Sequence, residues 1–318
     1  MPSCYHSSVK IRFAIGLVLL VVGSALPQPA PFQLDALDPS VEQWMRENLD
    51  DRVLQALQAT DQERVRKLFD ELMQDFQKDD VYDLAALKQT ATALLPLLLQ
   101  YEETRPYAEW LQTRLDYLDA ATELRRRMQP PPKPGIPAPP LPRPSMQLQR
   151  SVWAQQMDKR PLPPRAQALV PRLKPIFTAG GAPAQLVWLA EVESSFNPRA
   201  RSPAGAAGMF QLTSPTAKRL GLSTWLPDER LSPEKSARAA AKYLRYLQGH
   251  YGDWRLALAA YNAGESHVDG LLKKYKTRNF DAIANHLPAE TQMYVPKCEA
   301  TLKKREGLTL DDLKLPKV

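Results

Sequence analysis

Two glutamates near the end of an apolar segment are the strongest candidates for chemistry in this 318-residue chain. Glu191 and Glu193 follow the apolar residues 186–190, and Asn197-Pro198 is a typical helix stop. The helix dipole disfavours a negative charge at that end. A carboxyl group held there and partly desolvated keeps its proton to higher pH, so it could serve as a general acid. The spacing alone leaves two solvated surface glutamates as an equally good interpretation.

The residues that follow predict short helices rather than strands. Residues 202–211 read SPAGAAGMFQ, whose small side chains permit close approach of the backbone to a ligand or a neighbouring helix. They lack the GxGxxG spacing and follow no strand, so a phosphate cradle is not indicated. Helices are predicted to begin near Pro183, Pro215, Pro233, Asp253 and Pro288. The second half of the chain is therefore predicted to be all-helical.

The first half predicts a small helical bundle without a catalytic constellation. Apolar residues recur at three- and four-residue steps between Val65 and Phe76, Asp80 and Pro106 are helix-start signals, and residues 39–57 add a further helix. Residues 130–145 contain nine prolines in sixteen positions, which favours an extended spacer. We predict a signal peptide (1–25), a helical N-terminal domain (26–128), a Pro-rich linker (129–164), a catalytic domain (165–305) and a C-terminal tail (306–318).

The first 25 residues are typical of a secretory signal. Lys10 and Arg12 precede the apolar residues 13–22, and Gly23-Ser24-Ala25 supplies small residues for cleavage. We therefore expect export with cleavage near Ala25. An uncleaved membrane anchor is the alternative, although the segment is short for a span of about 20 residues.

Composition and charge narrow the classes of function. With 44% hydrophobic and 24% charged residues the chain does not suit global disorder, and two cysteines exclude a disulfide framework. Residues 26–128 carry 12 Lys and Arg against 20 Asp and Glu, whereas residues 165–305 carry 21 against 11. In an exported protein such a basic half favours an anionic polymer or a membrane surface over nucleic acid. Mutual attraction of the two halves is the alternative.

Four motifs follow one another in the second half of the chain. They read ESSFNP at 193–198, SPAGAAGMFQ at 202–211, AYNAG at 260–264 and ETQMYVPK at 290–297. Together they resemble the soluble lytic transglycosylase family, and most closely its membrane-bound lytic transglycosylase D branch, over roughly residues 170–305. The resemblance implies an all-α, lysozyme-like fold and an enzyme that cleaves peptidoglycan glycan strands in the periplasm without a cofactor.

The resemblance also implies roles for single residues. Glu193 matches the catalytic position, whereas Glu191 does not. Glu193 is implied to protonate the glycosidic oxygen between N-acetylmuramic acid and N-acetylglucosamine. The 2-acetamido group then attacks C1, and the C6 hydroxyl closes a 1,6-anhydro ring. Tyr294 is implied to stabilise positive charge near C1. The other implied substrate-binding residues are Ser202, Gln211, Tyr261 and Asn262, with Met209 and Phe210 as apolar walls of the groove.

Two other functions stay open at this point. One is a non-catalytic peptidoglycan-binding scaffold, and the other is a muramidase that uses water in place of the C6 hydroxyl. Intact Glu193, Gln211 and Tyr294 favour an enzyme. The expected partner is the glycan strand, with an envelope protein on residues 26–128 as a further candidate and no nucleic acid. The histidines show no metal-ligand spacing such as HExxH, so no metal site is expected.

Overall fold

The computed structural model describes residues 62–317 apart from 101, 103 and 131–139. The predicted signal peptide (1–25), the helix expected over 39–57 and most of the proline-rich stretch lie outside the described residues. Within them, fourteen α-helices and four short 3-10 helices are joined by loops that hold two isolated β-bridges. The predicted all-α class is confirmed. No helix among these residues is both long and apolar enough to cross a bilayer.

The helices fall into two groups along the chain. The N-terminal group is α1 (Gln62–Phe76), α2 (Val81–Ala86), α3 (Lys88–Gln100), α4 (Arg105–Gln112) and α5 (Leu115–Met128). The second group is α6 (Met146–Asp158), α7 (Ala166–Ala179), α8 (Leu189–Ser194), α9 (Ser214–Arg219), α10 (Pro233–Tyr251), α11 (Trp254–Ala263), α12 (Glu265–Tyr275), α13 (Phe280–Ile283) and α14 (Ala289–Glu306). The 3-10 turns cover Ala184–Trp188, Glu229–Leu231, Ala284–His286 and Leu310–Asp312.

Side-chain caps and prolines begin these helices where the sequence predicts it. The carboxylates of Asp80 and Asp253 and the hydroxyl of Thr213 each accept a backbone N–H in the first turn that follows. Such caps satisfy amide groups that have no helical partner. Helices α4, α9 and α10 carry a proline in the first turn, where a missing N–H costs nothing.

Helix α14 lies at the centre of the molecule. Residues 289–302 are buried except for Glu299, so this helix is covered on every side up to its last turn. Polar side chains in such a position need partners, because an unpaired buried polar group is costly. Each finds one. Glu290 pairs with Arg114, Thr291 with Asn262, Gln292 with the carbonyls of Asp79 and Leu287, Lys297 with Asp116, and Thr301 with the carbonyl of Lys297.

The N-terminal helices pack directly against α14 and share its core. The amide of Ala289, at the start of α14, donates to the carbonyl of Lys78 at 2.6 Å. Lys297 reaches Asp116 at 2.9 Å and lies over the ring of Tyr117, its Nζ 4.3 Å from the centroid. One continuous cluster of buried apolar side chains runs through both groups of helices. Residues 62–128, which are part of the predicted N-terminal domain (26–128), therefore share a core with the second group of helices.

Two of the predicted segments contain residues that pack on the helices. Residues 129–164, predicted as a Pro-rich linker, include α6, which packs along α14. Its Val152, Trp153 and Met157 are buried, although a proline-rich stretch precedes them. Residues 306–318, predicted as a C-terminal tail, also pack against the helices. Leu310 and Leu313 are buried, and Asp311 pairs with Arg255 at 2.8 Å.

The burial of α6 leads to a stability prediction. Trp153 is fully buried and meets Tyr117 edge-on at 5.2 Å. Trp153→Ala should lower the free energy of unfolding by about 3–5 kcal/mol, because a cavity replaces the indole. Equilibrium urea denaturation measures the loss. Gln147→Ala on the exposed face of the same helix is the matched control and should change stability by less than about 0.5 kcal/mol. Equal, small effects of both substitutions would show that α6 is a linker after all.

Candidate active site

Glu193 lies in a helix that is forced to end directly after it. Helix α8 covers only six residues, and Ser195 and Phe196 both adopt left-handed backbone angles, with φ of 51° and 61°. Two consecutive non-glycine residues in this region store strain, which persists only where the surroundings hold it. Phe196 is fully buried and meets Trp188 edge-on at 5.7 Å. The tight reversal keeps Glu193 at the end of the helix, inside the molecule.

The carboxyl group of Glu193 is buried and held by one hydroxyl. The residue is 5% exposed, and the hydroxyl of Tyr294 donates to its Oε1 at 2.5 Å. Burial raises the pKa of Glu193 from its usual 4.5 to about 7, against the opposing effects of the Arg114 charge and the Tyr294 hydrogen bond. A carboxyl with such a pKa can both give and take a proton near neutral pH.

Glu191 has a different environment and a different role. It is 1% exposed, and Arg305 binds both of its oxygens, at 2.8 and 2.9 Å. Its charge is therefore committed to a buried ion pair that ties α8 to the end of α14. The interpretation of Glu191 and Glu193 as two solvated surface residues is wrong, and the environments of the two carboxyl groups separate their tasks.

A tight turn beside α8 carries Gln211. Gly208 has φ of 79°, and a Cβ there would lie 1.8 Å from the carbonyl oxygen of Arg230, so only glycine fits. Gln211, itself at φ 47°, donates through its side-chain amide to the carbonyls of Gly208 at 2.8 Å and Ala200 at 3.3 Å. The turn thereby brings Gln211 to the wall of a small cavity that Glu193 also lines.

Three residues of the same segment are not placed as the resemblance implies. Met209 and Phe210 are fully buried, so their side chains are part of the core and are not walls of a groove. Their carbonyls instead accept hydrogen bonds from Ser194 and Tyr261. Ser202 accepts the amide of Ala206 at 3.0 Å and is not among the residues that line the cavity beside Glu193.

Tyr261 and Asn262 lie on the other side of the turn, at the end of α11. The Tyr261 hydroxyl donates to the carbonyl of Phe210 at 2.6 Å, and its half-buried ring tilts against Tyr243 at 5.4 Å. Asn262 accepts the hydroxyl of Thr291 on α14 at 2.6 Å. Burial and the nearby Glu193 raise the pKa of the Tyr261 hydroxyl well above its usual 10, so it stays protonated.

The sequence did not predict that the N-terminal helices reach the site. The cavity beside Glu193 is walled on one side by residues of α4 and the turn after it. These are Glu109, Trp110, Thr113 and Arg114. Asn197 donates to Glu109 at 3.3 Å, and Arg114 donates to the main-chain carbonyl of Glu193 at 3.3 Å. Arg114 lies 79 residues before Glu193, so no local pattern could have joined them.

Comparison with known proteins identifies the segment that surrounds Glu193. Residues 177–284 match the family model described as the transglycosylase SLT domain. These residues belong to the SLT family. The SLT domain includes Glu193, Gln211, Tyr261 and Asn262, and it stops short of Tyr294. The family resemblance carried by the motifs is thereby confirmed.

Relatives of the SLT domain cover only part of the chain. Membrane-bound lytic murein transglycosylase D of Escherichia coli K12 is 41% identical over 119 residues, which are 36% of this chain and 26% of that protein. Membrane-bound lytic murein transglycosylase F of Shewanella loihica is 44% identical over 89 residues, which are 26% of this chain and 17% of that protein. The chain thus spans about a quarter or less of the length of these curated relatives.

A solved structure also aligns with the chain beyond the SLT domain. The crystal structure of the 70 kDa soluble lytic transglycosylase from Escherichia coli covers 85% of this chain, and the alignment takes up 47% of that chain. The two chains are 20% identical in sequence and align with a TM-score of 0.40.

The raised pKa of Glu193 predicts a pH-dependent cost in stability. A carboxyl whose pKa is higher in the folded state than its unfolded value of 4.5 favours folding below pH 4.5. This contribution is lost as the pH rises through the folded pKa of about 7. Glu193→Gln should therefore exceed the parent in stability by about 3 kcal/mol above that pH. Urea denaturation of both proteins from about pH 4 to about pH 8 tests this, with the difference at the acid end as the baseline. A difference that stays constant across the range would contradict a buried, protonated Glu193.

Proposed function

We propose that this chain is a peptidoglycan lytic transglycosylase in which Glu193 is the general acid and base. The observation that carries the proposal is a buried carboxyl with a pKa of about 7, held by the Tyr294 hydroxyl, within an SLT domain. The names of the relatives, lytic murein transglycosylases D and F, support the same substrate class. The predicted secretory signal is consistent with an enzyme that meets peptidoglycan outside the cytoplasm.

The proposed reaction uses Glu193 twice. Its proton passes to the glycosidic oxygen as the bond between C1 of N-acetylmuramic acid and that oxygen breaks. The 2-acetamido carbonyl of the same sugar binds C1 in the interval, in place of a protein nucleophile. The Glu193 carboxylate then takes the proton of the C6 hydroxyl, whose oxygen forms the new bond to C1 as the bond between C1 and the acetamido oxygen breaks. Atoms balance without water, and Glu193 ends protonated as it began.

The environment of Glu290 supports this substrate-assisted route over one in which Glu290 is a protein nucleophile. Glu290 is near enough to raise the pKa of Glu193, but its Oε1 accepts two hydrogen bonds from buried Arg114. A carboxylate committed in this way is a poor nucleophile. Tyr294 keeps its proton, because burial raises its pKa well above 10, so it can donate to Glu193 throughout.

Residues near the cavity supply candidate contacts to the glycan. Gln211 borders the cavity directly, while Tyr261 and Asn262, at the end of α11, are not among the residues that line it. Arg201 also lines the cavity and is half exposed, paired with Asp228 at 3.6 Å. We propose that Arg201 meets the carboxylates of the lactyl group or the peptide stem, which matches the basic charge of this half of the chain.

The role of Glu193 is tested by one substitution and a matched control. Glu193→Gln should lower the release of soluble fragments from purified peptidoglycan by a hundredfold or more, about the contribution of a general acid. Glu234→Gln, which removes an exposed carboxylate paired with Arg172, should retain the parent rate. Chromatography of the released fragments measures both. Retained turnover in Glu193→Gln would remove this residue from the mechanism.

The identity of the products separates a transglycosylase from a muramidase. Mass spectrometry of the fragments should find 1,6-anhydro ends, which are about 18 mass units (one water) lighter than hydrolysed ends. Reducing ends would instead mean that water attacks C1. Glu109, which lines the cavity with Glu193, would then be the candidate base, and Glu109→Gln should abolish those products. A parent protein that binds peptidoglycan without releasing fragments would favour the scaffold function.

A further inference from the structure

A buried ion pair joins the N-terminal helices to the backbone of Glu193. Arg114 precedes α5 and donates through Nη2 and Nε to Oε1 of Glu290, at 3.1 and 3.3 Å. Its Nη1 donates to the main-chain carbonyl of Glu193 at 3.3 Å. Both side chains are buried, and the guanidinium also lies over the ring of Trp110, 5.0 Å from its centroid. The interaction is therefore fixed in place and shielded from solvent.

The position of this contact matters because α8 ends there. Carbonyl groups in the last turn of a helix have no helical partner. The left-handed residues Ser195 and Phe196 follow directly, so the chain cannot continue as a helix to cover them. Arg114 supplies a donor to the carbonyl of Glu193 and holds the strained reversal from outside the SLT domain. Its removal frees the segment that carries the carboxyl group.

Helix α14 closes the arrangement from the other side. Glu290 and Tyr294 are four residues apart and so lie on one face of α14. Tyr294 binds the side chain of Glu193, while Glu290 binds the arginine that holds its backbone. Side chain and main chain of Glu193 are thus fixed by two consecutive turns of the same buried helix.

We propose that Arg114 and Glu290 are positioning residues for Glu193. Arg114, from the N-terminal helices, holds the end of α8, and the opposed charges of the pair balance each other beside the carboxyl group. The N-terminal helices are then part of the catalytic unit rather than an accessory to it. The inference deepens the proposed function and takes from it the role of Glu193 as general acid.

Other titratable groups lie near Glu193, and some of them also shift its pKa. Arg114 and Lys297 lower the pKa of Glu193, and Glu290 raises it. The hydroxyls of Tyr294 and Tyr261 and the thiol of Cys298 also face the carboxyl group and stay protonated, because burial raises the pKa of each well above its usual value. Lys297 is held by Asp116, on α5. Arg114 and Glu290 form a pair whose two members act on Glu193 with opposite sign.

Because Arg114 and Glu290 shift the pKa of Glu193 in opposite directions, substitutions of the two residues test the proposal. Arg114→Met should raise the pKa of Glu193 by about one unit, because a cation is lost and Glu290 is left unopposed. Glu290→Gln should lower it, since Arg114 is then unopposed. The double variant should fall between the two. Arg114→Lys should keep the pKa near that of the parent while turnover falls, because lysine keeps the charge without the planar donor geometry.

Two readouts carry these predictions in the full chain. The first is the basic limb of the pH–rate profile on peptidoglycan, which reports the ionisation of the general acid. The second is the titration of the Glu193 carboxyl by 13C NMR in protein labelled at glutamate Cδ, with the resonance assigned by its loss in Glu193→Gln. The NMR titration needs no turnover. If the Arg114→Met and Glu290→Gln variants show opposed shifts by NMR yet the parent releases no fragments, the proposed function fails while the placement of the pair stands.

The control is a more exposed group of ion pairs made by another arginine. Arg255→Met removes an arginine that binds Glu299 and Asp311, and it should leave the titration of Glu193 unchanged. Shifts of the same sign in Arg114→Met and Glu290→Gln, or no shift in either, would overturn the proposal in favour of a purely structural pair. If Arg114→Met does not fold, as near-UV circular dichroism would reveal, Glu290→Gln and Arg114→Lys decide. A lowered pKa in Glu290→Gln, together with an unchanged pKa and reduced turnover in Arg114→Lys, supports the proposal, and an unshifted or raised pKa in Glu290→Gln overturns it.

Discussion

Helix α14 is buried along most of its length, so its polar side chains need hydrogen-bond partners from the rest of the molecule. Helix α14 places Glu290, Thr291, Gln292 and Lys297 in the interior, where an unpaired polar group costs more than a good hydrogen bond returns. Their partners come from both groups of helices, from Asp79 and Arg114 near the start to Asn262 on α11. Many contacts between the two groups of helices therefore satisfy buried polar groups of α14. The candidate site lies where Glu290, through Arg114, and Tyr294 hold Glu193.

The site joins a strained backbone to a destabilised carboxyl. Burial disfavours the charged form of Glu193. The left-handed backbone angles of Ser195 and Phe196, which end the helix that carries Glu193, are also unfavourable. The packing of Phe196 in the core and the contacts of α14 offset both unfavourable contributions to the free energy of folding. Functional sites commonly combine local strain with strong external support. Glu191, two residues earlier, lacks this combination because Arg305 neutralises it.

Local signals were enough to predict the helix starts and the motif positions. Asp80 and Asp253 cap helices as expected, because a cap needs only residues within one turn. Burial was not predictable in the same way. The sequence of α6 follows a proline-rich stretch and contains many polar residues, and only its packing on α14 reveals Trp153 as core. The complete burial of Met209 and Phe210, whose carbonyls accept hydrogen bonds from Ser194 and Tyr261, could not be predicted from their local sequence for the same reason.

The two segments that fix Glu193 set a limit on modularity. The match to the SLT domain covers residues 177–284. Outside it, the hydroxyl of Tyr294 donates to the carboxyl group of Glu193, and Arg114 donates to its main-chain carbonyl. The family match therefore does not include every residue that holds Glu193. The matched segment alone lacks the contacts of Tyr294 and Arg114. Grafted into another protein, it would carry its glutamate without the scaffold that makes this carboxyl an acid.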